Sequence, residues 1–152
     1  MDIYKKLEEL KLEIPAPPPR GGIYQPVKQV GNLLYVSGQG PTVDGVPVIT
    51  GKLGSERSLE EGQEAVRMCV MNALSSLEVY LGNLNKIKSV VKLLAFVASA
   101  SGFNAQPQVV NGASQLLVDL WGEEQGMGAR SAIGVNELPG NMSVEIELLV
   151  EI

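Results

Sequence analysis

The C-terminal stretch of the chain shows the most regular alternation of apolar and polar positions. From Val144 to Ile152 every second residue is apolar, and most residues between them are glutamates. Successive side chains of a β-strand point to opposite faces, so this pattern predicts a strand with one buried face and one mostly acidic face. A second strand is predicted just upstream, and Leu138-Pro139-Gly140-Asn141 between the two has the residues of a type II turn. The C-terminus therefore reads as a β-hairpin.

The upstream strand of this hairpin has its own division into faces. Ile133 and Val135 would continue the apolar face. The polar face would be shared by the small or basic residues Arg130, Ala132 and Gly134. A fixed cation with small neighbours beside it is a plausible site for a small anion. The alternative is an ordinary solvated ion pair between Arg130 and strand glutamates, which contributes only a few tenths of a kcal/mol.

Helical periodicity predicts two amphipathic helices. The first begins at a capping box, Ser58-Leu59-Glu60-Glu61, and is closed by Gly82. Cys69 lies on its apolar stripe and is expected to be a small buried residue rather than a reactive thiol. The second runs from about Pro107 to Trp121, with Gly122 as its stop. The apolar stripe of the first helix consists of Val66, Cys69, Val70, Ala73, Leu74, Leu77 and Leu81.

Three further strands are predicted before the C-terminal hairpin. Ile23–Val30 and Leu33–Gly38 are joined by Gly31-Asn32, a common hairpin connection. Lys88–Ala98 is apolar on both faces in its second half, as in a central strand. A short strand is also predicted around Val46–Ile49.

The N-terminus predicts a separate small element. Asp2–Leu12 has the pattern of a short amphipathic helix, and Pro15–Pro19 end it because proline cannot supply helical backbone donors. We therefore divide the chain into an N-terminal helix and Pro-rich extension, residues 1–22, and a single domain, residues 23–152.

This order of elements predicts a two-layer α+β domain. Two helices can cover only one face of a mixed sheet. The second face would carry residues too apolar to remain in contact with water, so we expect another subunit to bury it. These residues are Leu33, Tyr35, Leu94, Phe96 and Leu149.

The composition excludes several kinds of chemistry. The chain of 152 residues has a net charge of −5. This negative charge makes it poorly suited to binding nucleic-acid phosphates. It contains no histidine and one cysteine, so a Ser-His-Asp or Cys-His nucleophile is impossible and a zinc site is very improbable. No apolar run is long enough to span a membrane, no secretion signal opens the chain, and the single cysteine fits a reducing cytoplasm. We expect no cofactor and no metal.

The C-terminal motifs resemble those of a known family. Arg130-Ser131-x-Ile133-x-Val135, then Leu138-Pro139, then Val144-Glu145-Ile146-Glu147 resemble the signature of the Rid/YjgF family of reactive intermediate deaminases, also called "endoribonuclease L-PSP". The resemblance runs from about Gly22 to the C-terminus. It implies a chorismate-mutase-like fold and a homotrimer with sites in the clefts between subunits. Members of the usual length lack the N-terminal helix.

The resemblance assigns three substrate-binding residues outside the C-terminal block. Tyr24 matches the family's aromatic position, Ser37 its hydroxyl position and Asn111 its asparagine. Each has a structural alternative: Tyr24 as a core aromatic, Ser37 bonded to backbone, and Asn111 as an exposed helix residue.

The C-terminal block would supply the catalytic groups. Arg130 matches the carboxylate-binding arginine, Glu145 the glutamate associated with the attacking water, and Ala132 the position whose backbone carbonyl holds that water. Many members carry cysteine where this chain has Ala132. If the hairpin pairs Asn136 with Ser143, four residues of strand, about 13 Å, separate Arg130 from Glu145. Either the register differs, a bulge intervenes, or the glutamate works with a neighbour's site or through water.

The function that the resemblance implies is hydrolysis of 2-imino acids, of the 2-aminoacrylate or 2-iminopropionate type, to 2-keto acids and ammonia. The expected ligands are small 2-imino or 2-keto carboxylates. The alternative is a trimeric protein that binds or senses small carboxylates without turnover. Ribonuclease activity fits poorly with an acidic chain that lacks general acid-base histidines.

Overall fold

The computed structural model describes residues 2–152 as a mixed β-sheet covered on one face by helices. The five main strands lie in the order β1-β2-β7-β5-β6, and β3 and β4 form a separate two-stranded hairpin. The strands are β1 (Val27–Val30), β2 (Leu33–Gln39), β3 (Thr42–Val43), β4 (Val46–Pro47), β5 (Ser89–Ala98), β6 (Ala129–Val135) and β7 (Val144–Glu151). The helices are α1 (Ile3–Glu9), α2 (Leu59–Leu81) and α3 (Gln106–Gly126).

The predicted two-layer α+β architecture is confirmed. The helix-facing residues of β7, which are Val144, Ile146, Leu148 and Val150, are all buried, as the alternation along this strand requires. The other face of the sheet carries apolar residues without helical cover, and the side chain of Tyr35 on it is 48 % exposed. No helix among residues 2–152 has the length and apolarity needed to cross a lipid bilayer.

The C-terminal hairpin is the main prediction that proves wrong. β6 pairs in parallel with β5, whereas β7 inserts between β2 and β5 and pairs antiparallel with both. The turn predicted at Leu138–Asn141 is present, because the Asn141 amide donates to the Leu138 carbonyl at 3.1 Å and Gly140 has a φ of 61°. It does not join neighbouring strands, since the residues between β6 and β7 carry the chain past β5. The alternation of β7 predicted a strand but could not identify its neighbours, and β5-α3-β6 forms the usual parallel crossover unit.

The helices match their predicted signals closely. In α2 the Ser58 Oγ accepts a hydrogen bond from the Glu61 amide at 3.2 Å, and the Glu61 carboxylate accepts one from the Ser58 amide at 3.1 Å. Gly122 interrupts α3 with φ 79°, and a further turn follows it. Gly112 inside α3 is explained by close packing, because a Cβ there would lie 2.6 Å from the Gln63 carbonyl oxygen of α2.

The N-terminal helix is docked on the body of the protein. Ile3 and Leu7 are buried in the common core. The Ile3 amide donates to the Asn85 Oδ1 at 2.7 Å, and further along the Pro15 carbonyl accepts from the Ser75 Oγ at 2.7 Å.

Two predicted strands are shorter in the structure. The first begins at Val27 instead of Ile23, because the residues before Pro26 form a turn held by hydrogen bonds around Tyr24. The strand predicted around Val46–Ile49 contains only Val46–Pro47.

Candidate functional site

A cavity of about 610 Å³ lies beside β2 and β7 on the helix-free side of the sheet. It is lined by three of the residues predicted for the site, Tyr24, Ser37 and Glu145. We call these three residues, with Gly38, the acidic half-site. Different elements provide them: a turn before β1, the end of β2, and the start of β7.

The carboxylate of Glu145 is the chemically distinctive group of the acidic half-site. It is half-buried, and this burial raises its pKa above the ordinary value, with the charge of Glu147 adding to the rise. Glu147 lies two residues along β7, so both carboxylates point to the same face. A carboxylate with a raised pKa is a better general base near neutral pH than an ordinary one.

Gly38 makes room for this carboxylate. A Cβ at position 38 would lie 3.0 Å from the carboxyl carbon of Glu145 and still closer to its Oε1. A side chain at this position would therefore displace the glutamate. Sequence reasoning did not assign Gly38 to the site, although it directly follows Ser37 in the first block of the resemblance.

Ser37 and Tyr24 have defined hydrogen bonds beside the cavity. The Ser37 hydroxyl donates to the Gln25 carbonyl at 2.7 Å, so the backbone bond considered as its alternative is present. Its oxygen can still accept a hydrogen bond from a ligand. Tyr24 is not a core residue, since it is 41 % exposed, and its hydroxyl oxygen accepts from the Gly21 amide at 3.0 Å. The Tyr24 hydroxyl hydrogen is therefore free to point into the cavity.

Arg130 lies elsewhere, on β6 against α3. Its guanidinium donates to the Asn111 Oδ1 at 2.8 Å and to the Ser114 Oγ at 3.1 Å. Asn111 and Ser114 are three residues apart on α3 and therefore share a face of the helix. Arg130 forms no ion pair with any carboxylate among residues 2–152. We call Arg130, Asn111 and Ser114 the basic half-site; sequence reasoning missed Ser114, which only the helical spacing from Asn111 could have indicated.

The backbone of Ala132 lies at the unpaired edge of the sheet. Within the part of the chain that the structure describes, β6 is the last strand of the sheet and has β5 as its one neighbour. The Val135 carbonyl accepts from the Ser99 amide at 3.0 Å on the β5 side. Backbone groups of successive strand residues alternate between the two edges, so the carbonyl of Ala132, three positions earlier, faces the free edge.

Arg130 and Glu145 do not share a face of the sheet. Arg130 is the register partner of Leu93, and Glu145 is the partner of Phe96. Leu93 and Phe96 are three positions apart on β5 and point to opposite faces. Two strand spacings and three residues also separate the Cα atoms of Arg130 and Glu145 by about 14 Å. One chain therefore cannot bring the two half-sites to a single small molecule.

The side chains of β6 point to the faces of the sheet opposite to those predicted. Ala132 shares the helix side of the sheet with the exposed Arg130 and packs against the core. Ile133 lies on the helix-free side and is 45 % exposed. The prediction that Ile133 continues the buried face of β7 is wrong, because it rested on a hairpin that does not form.

The described chain offers no metal-binding cluster. Among residues 2–152, no three His, Cys, Asp or Glu side chains are grouped so that they could hold a metal ion. Cys69 is fully buried in α2, as expected, and its burial raises the pKa of the thiol well above the ordinary value.

Comparison with known proteins places the chain in a family. Residues 14–152 match the family described as Endoribonuclease L-PSP. The chain is 40 % identical to Protein TCP17 of Trypanosoma cruzi over 146 residues, covering 96 % of this chain and 91 % of that protein. It is 31 % identical to a 2-iminobutanoate/2-iminopropanoate deaminase of Dermatophagoides farinae over 143 residues, covering 93 % of this chain and 94 % of that protein.

A solved structure extends this similarity to the fold. The crystal structure of Atu1372 of Agrobacterium tumefaciens, a protein of unknown function, superposes with a TM-score of 0.90 at 42 % sequence identity. The match covers 99 % of this chain and 92 % of Atu1372. The chain therefore belongs to the Endoribonuclease L-PSP family, which is the Rid/YjgF family indicated by its motifs, and it has that family's chorismate-mutase-like fold.

Proposed function

We propose that the protein hydrolyses reactive 2-imino acids to 2-keto acids and ammonia in clefts formed between copies of the chain. The substrates are of the 2-aminoacrylate and 2-iminopropionate type. The observation that carries the proposal is the division of the predicted residues into an acidic and a basic half-site on opposite faces of one sheet. The acidic half-site provides the carboxylate of Glu145, and the basic half-site provides the guanidinium of Arg130. Since one chain cannot bring both to the same ligand, the complete site needs two chains.

The helix-free face of the sheet provides the surface for this assembly. Tyr35, Phe96 and Leu149 lie on it without helical cover. An apolar face of this kind is normally buried by another subunit. We propose the homotrimer of the family, in which the acidic half-site of one subunit faces the basic half-site of the next.

Arg130 would bind the carboxylate of the substrate. A guanidinium offers five N–H donors in a planar fork and can hold a carboxylate through two of them. Among residues 2–152, one nitrogen of Arg130 donates to protein, to Asn111 and Ser114. These two bonds fix the orientation of the fork and leave its remaining donors for the ligand, which a lysine could not reproduce.

Glu145 and the Ala132 carbonyl would position the attacking water. The water oxygen forms a bond to the imine carbon, the π electrons of the C=N bond move to nitrogen, and Glu145 takes the proton lost by the water. The protonated Glu145 returns that proton to the nitrogen, and the C–N bond then breaks as a lone pair of the hydroxyl oxygen forms the C=O bond. The hydroxyl proton passes to the departing ammonia, which leaves as ammonium. An iminium is already electrophilic, so positioning and one polarised water suffice.

The similarity to a named deaminase supports this reaction. The Dermatophagoides farinae protein carries the name 2-iminobutanoate/2-iminopropanoate deaminase and aligns along nearly all of this chain. Arg130, Glu145 and Asn111 provide the groups that this chemistry requires, and neither a histidine nor a metal enters the proposed steps.

The direct test supplies 2-aminoacrylate from a lyase acting on serine and follows pyruvate formation against the spontaneous rate. We expect the wild-type protein to accelerate pyruvate formation and Arg130→Ala to abolish the acceleration. Arg67→Ala, which removes a partly exposed arginine of α2 outside both half-sites, is the matched control. Full activity of Arg130→Ala would contradict the proposal. Arg130-dependent binding of pyruvate without any acceleration would instead indicate a carboxylate-binding protein.

A further inference from the structure

Arg20 brings a cation to the cavity of the acidic half-site. Among the described residues that line this cavity, the charged ones are Arg20, Glu145 and Glu147. Arg20 comes from the N-terminal segment, directly after the proline run. Its position was not predicted from the sequence and is not needed for the proposed hydrolysis.

The backbone before Arg20 is fixed at two points. The Pro15 carbonyl accepts from the Ser75 hydroxyl at 2.7 Å. Pro19 packs closely on Gly45, because a Cβ added at Gly45 would lie 2.7 Å from Cγ of the Pro19 ring. Because prolines also restrict φ, the segment reaches the cavity along a defined path rather than as a loose arm.

Arg20 and Tyr24 are then joined in a small loop. One nitrogen of the Arg20 guanidinium donates to the Tyr24 carbonyl at 3.0 Å, and the Gly21 amide donates to the Tyr24 hydroxyl at 3.0 Å. Arg20 forms no ion pair with a carboxylate in residues 2–152. Most of its N–H donors are therefore available to a ligand while its position is held by Tyr24.

We propose that Arg20 selects substrates whose side chain carries a second carboxylate, an inference that rests on the imine hydrolysis proposed above. In the assembled site Arg130 would bind the carboxylate next to the imine, and Arg20 would bind an acidic group at the far end of the substrate. A cavity of about 610 Å³ lies within the range of about 300–1,000 Å³ that accommodates drug-sized ligands, so it has room for more than a three-carbon imino acid.

The charges of the cavity make Arg20 decisive for such a substrate. Without Arg20, the charged side chains around the second carboxylate would be Glu145 and Glu147, which are both negative. Like charges repel strongly in a partly desolvated cavity. When Arg20 is present, its charge-assisted hydrogen bond to the second carboxylate offsets part of that repulsion.

The test compares imines formed by amino acid oxidases from glutamate or aspartate with the imine formed from alanine. Wild-type protein should show a higher kcat/KM for the acidic imines. Arg20→Gln should lower kcat/KM for the acidic imines at least tenfold more than for the alanine-derived imine, roughly the effect of losing one charge-assisted hydrogen bond. Arg20→Lys, which keeps the charge, should restore part of the preference. An equal fall for all substrates would show that Arg20 only holds the Tyr24 loop, and would overturn the proposal, as would the absence of any preference in wild-type protein.

A binding measurement separates this inference from the proposed reaction. Calorimetry should show that wild-type protein binds 2-oxoglutarate more tightly than pyruvate. The Arg20→Gln protein should not show this preference. If wild-type protein accelerates no imine hydrolysis, the proposed function fails, and the calorimetry still decides the role of Arg20. If imines are hydrolysed but Arg20→Gln leaves the two affinities unchanged, only the role of Arg20 fails.

Discussion

Arg130 and Glu145 lie on opposite faces of the same sheet, two strands apart, because Arg130 pairs with Leu93 and Glu145 with Phe96. This relationship determines how the candidate site can work. The cation and the carboxylate that the proposed reaction requires are both present in each chain, yet they lie on different faces of the sheet. We therefore treat them as parts of two half-sites that different subunits complete.

The first prediction concerns the support of Arg130. Asn111→Ala removes the shorter of the two hydrogen bonds to the guanidinium, and Ser114→Ala removes the longer one. We expect KM to rise about tenfold for Asn111→Ala and about threefold for Ser114→Ala with little change in kcat, because the loosened fork binds the carboxylate less well. Gln115→Ala is the control, since Gln115 is on the same helix but its side chain bonds to Asp119 and not to Arg130. Steady-state kinetics that show equal effects of all three variants would contradict the positioning role.

The second prediction concerns the fit between Gly38 and Glu145. Gly38→Ala places a methyl group where the carboxylate lies, so Glu145 must move. We expect kcat to fall at least tenfold, because displacement of a general base by about 1 Å is costly to catalysis. Circular dichroism and thermal unfolding should show a folded protein. Retention of full kcat would mean that the position of this carboxylate does not matter.

The third prediction concerns the pH dependence of hydrolysis. The reaction needs ionised Glu145, and burial together with Glu147 raises its pKa, so kcat/KM should fall with decreasing pH at a midpoint above the ordinary glutamate value. Glu147→Gln removes the neighbouring charge and should move this midpoint to lower pH. Glu151→Gln, on the same strand face but about 20 Å from Glu145, should leave it unchanged. A midpoint that Glu147→Gln does not move would exclude Glu145 as the titrating group.

The fourth prediction concerns stability. Because the pKa of Glu145 is higher in the folded than in the unfolded chain, ionisation of this group reduces the free energy of unfolding. This reduction is complete above the folded pKa and disappears below the ordinary value of about 4.3, where both states are protonated. Glu145→Gln should therefore raise Tm at pH 8 and have little effect below about pH 4. Thermal unfolding with equal effects at both pH values would show that the change acts through packing instead.

The sequence was sufficient for the layers of the fold. Local signals such as the Ser58–Glu61 capping box and the alternation of β7 depend on neighbouring residues, and the structure contains both. The order of strands depends on which long ladders form. Nothing in residues 129–152 shows that β5 comes between β6 and β7.

The geometry of the site could not be predicted for the same reason. The wrong hairpin placed Arg130 and Glu145 on one face, and the correct strand order separates them. Ser114 and Gly38 became visible only as contacts of Arg130 and Glu145. Arg20 reaches the cavity through a proline-rich segment whose path is fixed by tertiary contacts with Ser75 and Gly45, which no local pattern encodes.

The most direct measurement of the central claim mixes two inactive proteins. Arg130→Ala lacks the basic half-site and Glu145→Gln lacks the acidic one, so each homo-oligomer should be inactive. When the two are co-expressed and purified together, each mixed interface of the right orientation joins one intact basic half-site to one intact acidic half-site. In a closed ring with random mixing, about one quarter of the sites should be complete, and imine hydrolysis should return to about that fraction of wild-type activity. Hetero-oligomers that form but remain inactive would contradict a site shared between subunits.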